Sequence, residues 1–167
     1  MATRTLISVQ EYLATAYSPD CDYVDGEVQE RNLGEWDHGS VQSLLSAYFV
    51  ARRKQWKIRV STEQRIQVSS ARYRIPDVCV VLGEPDGQIL RKPPFLCVEV
   101  SPEDRLSRVK ARVQDFISFG VPNIWIIDPE TKEAFEIAPN GDWRKVQDGT
   151  LRTTNPVFEV PLAEIFE

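Results

Sequence analysis

Two carboxylates set inside apolar, β-branched runs constrain this chain more than any other feature. The first run is Tyr-Arg-Ile-Pro-Asp-Val-Cys-Val-Val-Leu (73–82), with Asp77 directly after Pro76. The second is Phe-Leu-Cys-Val-Glu-Val-Ser (95–101), with Glu99 between Val98 and Val100. Runs this rich in Val, Ile and Phe, bounded by Pro and Gly, predict largely buried strands. A carboxylate there loses hydration worth on the order of several kcal/mol unless a cation or a set of donors replaces the water. Two such acids in consecutive strands predict one shared cation, and with it a metal site.

A register follows. If strands 73–82 and 94–101 pair antiparallel with Asp77 opposite Glu99, opposed residues keep a constant index sum and Cys79 falls opposite Cys97. Side chains alternate faces along a strand, so Ile75, Asp77 and Cys79 share a side with Cys97 and Glu99. Two small thiols then floor a two-carboxylate site.

The 167 residues predict one domain over 1–167, long enough to bury a core. Hydrophobic content of 42% and charged content of 27% are those of a soluble globular protein. No apolar stretch approaches the ~20 residues of a membrane span, and no signal-peptide pattern opens the chain. Cys21, Cys79 and Cys97 lack metal-ligand spacing and are odd in number, which predicts reduced thiols and a cytoplasmic location. A net charge of −5 argues against a protein that coats nucleic acid by bulk charge. A local basic band nevertheless spans Arg52, Arg53, Lys54, Lys57, Arg59, Arg65, Arg72 and Arg74, with Glu63 as its one acid. It reads either as a phosphate-contacting surface or as a solvated helix end followed by exposed strand faces.

Ser8 and Glu11 stand at capping-box spacing, which predicts a helix from Val9 to about Ala16. Residues 22–31 predict a hairpin turning at Asp25-Gly26. Val41, Leu44, Leu45, Tyr48 and Phe49 recur at helical spacing between Asp37 and about Gln55, and Arg52, Arg53 and Lys54 suit that helix's negative C-terminal end. Strands are predicted at 56–61 and 63–68, then over the two opening runs. A helix from about Glu103 to Phe119, ended by Gly120, precedes a buried strand Asn123–Asp128. Residues 133–138 and 143–146 form a hairpin around Asn140-Gly141, and the tail holds a short strand and a terminal helical turn. This order describes an α/β architecture, a mixed sheet covered by helices. On the helix after Pro102, Leu106, Val113 and Ile117 share one face, and Lys110 falls within it. The lysine either meets a buried anion such as Asp77 or Glu99, or snorkels to solvent.

Pro76-Asp77 followed by Glu99 resembles the PD-(D/E)XK nuclease motif. The flanking blocks narrow the resemblance: Tyr23-Val24-Asp25-Gly26-Glu27, Arg74-Ile75-Pro76-Asp77-Val78, Val98-Glu99-Val100-Ser101-Pro102 and Gly120-Val121-Pro122-Asn123-Ile124-Trp125-Ile126-Ile127-Asp128-Pro129. In this order they are similar to the Uma-type restriction endonuclease family, a domain of unknown function, over about Ser8 to Ala138. The resemblance implies a restriction-endonuclease-like mixed β-sheet flanked by helices, with added β-hairpins. It also implies a metal-dependent endonuclease hydrolysing DNA phosphodiester bonds through a Mg²⁺-activated water.

The superfamily's lysine commonly stands two residues after the second acid, where this chain has Ser101. The resemblance is to those members whose basic residue lies on the following helix, and Lys110 matches there. Asp77, Glu99 and the backbone carbonyl of Val100 would hold Mg²⁺, or Mn²⁺ in its place, since a hard cation takes oxygen ligands. Lys110 would stabilise developing charge or position the nucleophile. Glu27 is a third candidate acid, or else a hairpin surface residue. His38, the one histidine, would contact a phosphate or a metal-bound water, or else is polar surface. Glu63 and Gln64 precede Asp77 and are further candidates for the cleft, whereas Trp125 and Trp143 read as packing. The implied partner is DNA, held transiently, and a homodimer is compatible with the pattern. The competing class is a catalytically inactive nuclease-fold module used for nucleic-acid or protein binding. A third reading makes the acids structural, bonded to backbone donors.

Overall fold

The computed structural model describes residues 5–31, 34–102 and 105–167, the side chain of Leu106 excepted. Helix α1 (Val9–Ala14) starts as its capping residues predict, Ser8 Oγ accepting the Glu11 N–H at 3.1 Å. Strands β1 (Asp22–Val24) and β2 (Glu27–Gln29) form the expected hairpin. Its turn residues Asp25 and Gly26 both have positive φ, 51° and 96°, the requirement of a tight primed turn. Helix α2 (Trp36–Trp56) buries Val41, Leu45 and Phe49 and ends at Lys57 in the left-handed region. Strands β3 (Ile58–Thr62), β4 (Ile66–Ser69), β5 (Arg72–Arg74), β6 (Val78–Leu82) and β7 (Leu96–Val100) follow. Helix α3 (Leu106–Phe119) closes on Gly120, whose φ of 99° lets its N–H reach the Phe116 and Ile117 carbonyls. Then come β8 (Asn123–Asp128), the hairpin β9 (Glu133–Ile137) and β10 (Trp143–Lys145), the hairpin β11 (Thr150–Arg152) and β12 (Glu159–Pro161), and a 3₁₀ turn, Leu162–Glu164.

Two expectations are corrected. The run 73–82 is not one strand. It divides at Ile75-Pro76-Asp77 into β5 and β6, which belong to different sheets. Pro76 has no N–H to give a ladder, so the chain leaves one sheet there and enters the other. The tail holds two strands rather than one, paired from Thr150↔Pro161 to Arg152↔Glu159.

The larger sheet runs β10-β9-β8-β7-β6-β3, and the smaller β2-β1-β5-β4. In the larger sheet β7 and β8 are parallel, and α3 is the crossover that such a pair requires. The predicted register holds, with Val78↔Val98, Cys79↔Cys97 and Val80↔Leu96. Alternation then gives the sheet two distinct faces. Val78, Val80, Val98, Val100, Trp125 and Ile127 meet Val41, Leu45 and Phe49 of α2. Cys79, Cys97, Ile124 and Ile126 meet Val109, Val113 and Phe116 of α3. Tyr12, Tyr23 and Tyr73 tie α1 to the smaller sheet. Trp125 lies 6.0 Å from Phe49 and Trp143 lies 5.6 Å from Phe135, both in packing roles. Among the described residues, no helix is long and apolar enough to cross a membrane.

Candidate active site

Odd-numbered residues of β6 and β7 face α3, so Glu99 points toward that helix, with Cys97 beside it and Cys79 opposite Cys97. Asp77 stands one residue before β6, where the register, carried one pair past Val78↔Val98, sets it opposite Glu99. Both acids are buried, Asp77 3% and Glu99 5% exposed. Asp77 Oδ2 accepts the Val100 N–H at 2.7 Å, and Oδ1 accepts Arg31 Nη2 at 2.8 Å. His38 Nε2 lies 3.3 Å from the same Oδ1, close enough to pair charge but outside hydrogen-bond alignment. The Asp77 carbonyl takes Gln42 Nε2 at 3.0 Å and the Glu63 N–H at 3.3 Å. One end of α2 therefore clamps Asp77 at side chain and backbone.

Glu99 is held more sparsely. Its Oε1 accepts Arg112 Nη2 at 2.6 Å, and Oε2 has no hydrogen bond among the described residues. Burial pushes the Glu99 pKa up to about 7, with the Asp77 charge adding to it and Arg112 opposing. Burial also acts to raise Asp77, but His38, Arg31 and the Val100 N–H outweigh it and hold that carboxyl below its ordinary value. Asp77 in turn holds the His38 imidazole above its usual value against burial. One acid is thus kept ionised while its neighbour is poised to carry a proton near neutrality.

Arg112, from the middle of α3, bridges Glu99 to Asp22 through Nη1, and its Nη2 also donates to the Ile75 carbonyl at 2.6 Å. Asp22 Oδ1 accepts the Ile75 N–H at 3.1 Å, and Arg74 Nη1 lies 3.1 Å from Asp22 Oδ2. Arg74 Nε donates to Asp115 at 2.7 Å, and Asp115 also takes Arg72 Nη1 at 2.8 Å. Acids and guanidiniums so alternate from Asp25 at the surface, through Arg72, Asp115, Arg74, Asp22 and Arg112, to Glu99. Charges this deep are tolerable because each carries an opposite partner and directed hydrogen bonds.

Of these groups Asp22, Arg31, Arg74, Asp77, Glu99 and Arg112 line a cleft of about 740 Å³ shared by the β1–β2 hairpin, the ends of β5 and β7, and the first half of α3. Asp77, Glu99 and Glu27, the three acids singled out above, all line it, Glu27 from β2, and Ser101 lines it beside them. His38 reaches Asp77 from α2. Glu63 approaches the rim, its Oε1 4.0 Å from Arg31 Nη1, whereas Gln64 turns away to the carbonyls of Arg65 and Gln88. Val100 lies at the end of β7 and gives its N–H to Asp77.

Lys110 is corrected in position: it is exposed and does not line the cleft. The buried stripe of α3 is Val109, Arg112, Val113 and Phe116, so the helix turns Arg112 toward the acids and Lys110 to solvent. That stripe has i, i+3, i+4, i+7 spacing, a signal present in the sequence beside the one that selected Lys110. Asp22, Arg31 and Arg74 were also missed, since each is defined by partners 40 or more residues away. The basic band is no continuous phosphate surface. Arg59 pairs with Glu84, Arg65 with Asp20, and Arg72 and Arg74 with the site's acids, while Arg52 stacks 3.5 Å over Tyr48.

No protein of curated function matches the chain. A crystal structure described as "a putative nuclease belonging to DUF820", from Anabaena variabilis, superposes with a TM-score of 0.79. The match covers 96% of this chain and 97% of that one at 19% identity, a likeness of fold. The family model Uma2, described as "Putative restriction endonuclease", matches residues 9–162, and the chain belongs to that family.

Proposed function

We propose that this chain is a Mg²⁺-dependent endonuclease that hydrolyses DNA phosphodiester bonds. The carrying observation is the pair Asp77 and Glu99, two buried carboxylates set opposite each other at the mouth of paired strands, with Glu99 Oε2 unbonded among the described residues. Two carboxylate donors and room for water suit Mg²⁺ or Mn²⁺, which keep several waters and take few protein ligands. Among the described residues, no three His, Cys, Asp or Glu side chains converge as a metal cage. Asp77 and Glu99 would hold the ion, with the Val100 carbonyl as the third ligand. When bound, the ion supplies Lewis acidity toward a water and neutralises phosphodiester charge.

The chain's own groups supply the rest. Val100 N–H, Arg31 and His38 fix the Asp77 carboxylate in one orientation. Arg112 aligns Glu99 and brings a guanidinium to the place where the sequence pattern called for Lys110, and there it would stabilise charge developing on the phosphate. Glu27 faces the cleft from β2 as a further acid. Three buried free cysteines suit the reducing cytoplasm.

Cleavage of supercoiled plasmid and of single-stranded DNA, with Mg²⁺ or Mn²⁺, tests the proposal. Wild-type protein should cut and Asp77→Ala should not. Equal activity in the two proteins refutes the catalytic assignment. One observation favours a second reading, a nuclease fold kept for binding: Arg31 and Arg112 already neutralise both acids. Titration calorimetry separates the two, because a binding module should take up DNA without taking up Mg²⁺.

A further inference from the structure

The two guanidiniums that meet the acids are not held alike. Arg112 sits in the middle of α3 and has three partners, Asp22, Glu99 and the Ile75 carbonyl. Arg31 lies past the end of β2, outside any helix or strand. Its one side-chain hydrogen bond among the described residues runs from Nη2 to Asp77 Oδ1 at 2.8 Å, and its side chain is buried. Of the two, the guanidinium with a single directed bond is the one that can leave.

The oxygens of Asp77 divide in the same way. Oδ2 is pinned by the Val100 N–H at 2.7 Å, a backbone donor that cannot swing aside. Oδ1 is met by Arg31, with His38 Nε2 3.3 Å away and not aligned as a hydrogen bond. Arg31 can therefore withdraw while the carboxylate keeps its orientation. Charge gives it a reason to withdraw. Asp77 and Glu99 are already matched one for one by Arg31 and Arg112. A divalent ion between the acids would add two positive charges to a matched set, and an uncompensated buried charge is costly.

A second acceptor stands within reach of Arg31. Glu63 Oε1 is 4.0 Å from Arg31 Nη1, and the Glu63 side chain is 48% exposed. No other cation pairs with Glu63 among the described residues. It lies between β3 and β4 with a φ of 52°, a left-handed backbone that residues other than glycine rarely hold. That turn brings its N–H to the Asp77 carbonyl at 3.3 Å. The residue that holds the Asp77 backbone thus also offers the neighbouring guanidinium a wetter carboxylate.

We propose that Arg31 and a divalent ion compete for Asp77 Oδ1, and that Glu63 receives the guanidinium when the ion binds. This rests on the ion site of the nuclease reading and gives that site a latch. Titration calorimetry of the full chain with Mn²⁺ tests it without DNA or cleavage. A latch closed about nine times in ten lowers apparent affinity about tenfold, so Arg31→Gln should bind Mn²⁺ about tenfold tighter than wild type. A merely structural arginine would give the opposite sign, because its loss loosens the acid it orients. Glu63→Gln should weaken binding about threefold, and should have no effect when added to Arg31→Gln. Without Mn²⁺, Arg31→Gln should melt below wild type, since Asp77 loses a buried partner, and saturating Mn²⁺ should raise its melting temperature by more. If Arg31→Gln does not fold, the exposed Glu63→Gln decides alone. Arg31→Gln that binds no tighter than wild type, or Glu63→Gln that has wild-type affinity or weakens both backgrounds equally, overturns the inference and leaves the nuclease reading standing. Mn²⁺ binding to neither wild type nor Arg31→Gln overturns both.

Discussion

The two faces of the larger sheet carry the same strands and are held by different physics. On the α2 face, Val41, Leu45, Phe49, Val98 and Trp125 give a continuous apolar contact in which no single pair is essential. On the α3 face, apolar packing by Val109, Val113 and Phe116 gives way, at the ends of β6 and β7, to Arg112, Asp22, Asp115, Arg74 and Glu99. The first face is stabilised by area, and the loss of a residue costs roughly what its side chain buried. The charged part of the second depends on completeness, because half of a buried ion pair is worse than none. The proposed site, which would receive a cation and a phosphate, lies on the second kind of face.

Substitutions on each face can break this contrast. Phe49→Ala should cost about 3–5 kcal/mol by denaturant midpoint, a loss no second substitution nearby restores without refilling the volume. Arg112→Met should cost a similar ~3–5 kcal/mol, since it leaves Glu99 buried without the guanidinium hydrogen-bonded to it. Adding Glu99→Gln to Arg112→Met should then recover at least half of that loss. If the double variant is no more stable than Arg112→Met alone, pairing is not what holds the α3 face.

A smaller effect is a pH slope. Folded Glu99 has a pKa of about 7 against an ordinary 4.5, and His38 is raised above 6.5. Both bind protons more tightly in the folded protein, so their contribution is complete below the unfolded values and is lost as pH rises through the folded ones. Metal-free protein should therefore lose stability between about pH 4.5 and the region above pH 7, and Glu99→Gln should flatten the slope. A slope unchanged in Glu99→Gln would assign the proton elsewhere. The smallest effect is expected at Lys110. Exposed and outside the cleft, Lys110→Ala should alter stability by less than about 0.5 kcal/mol and leave Mg²⁺ affinity unchanged. A tenfold loss of affinity would return the lysine to the site.

Much of the fold was legible because its determinants are local. Asp25-Gly26 fixes one hairpin, Gly120 ends α3, and the alternation of 78–80 against 96–98 fixes a register that set Asp77 opposite Glu99. What escaped was set by distance. Whether Lys110 or Arg112 turns inward is a rotation of about 200° on one helix, decided by Asp22, 90 residues earlier. Pro76 marks where the run 73–82 breaks, but which sheet each half joins is settled by pairing with β1 and β7, and the run itself does not record that choice. Glu27 and His38 came from the resemblance alone; the structure sets His38 beside Asp77 and Glu27 in the wall of the same cleft.

The break at Pro76 has a mechanical consequence. Only Ile75, Pro76 and Asp77 join the last strand of the small sheet to the first central strand of the large one, and one of the three is the proposed ion ligand. A tilt of the β1–β2 hairpin sheet would find almost no slack in this connection before it reached the Asp77 carboxylate. A strap this short would act as a lever, so that any shift of the small sheet would be felt directly as a shift of the acid at the cleft floor.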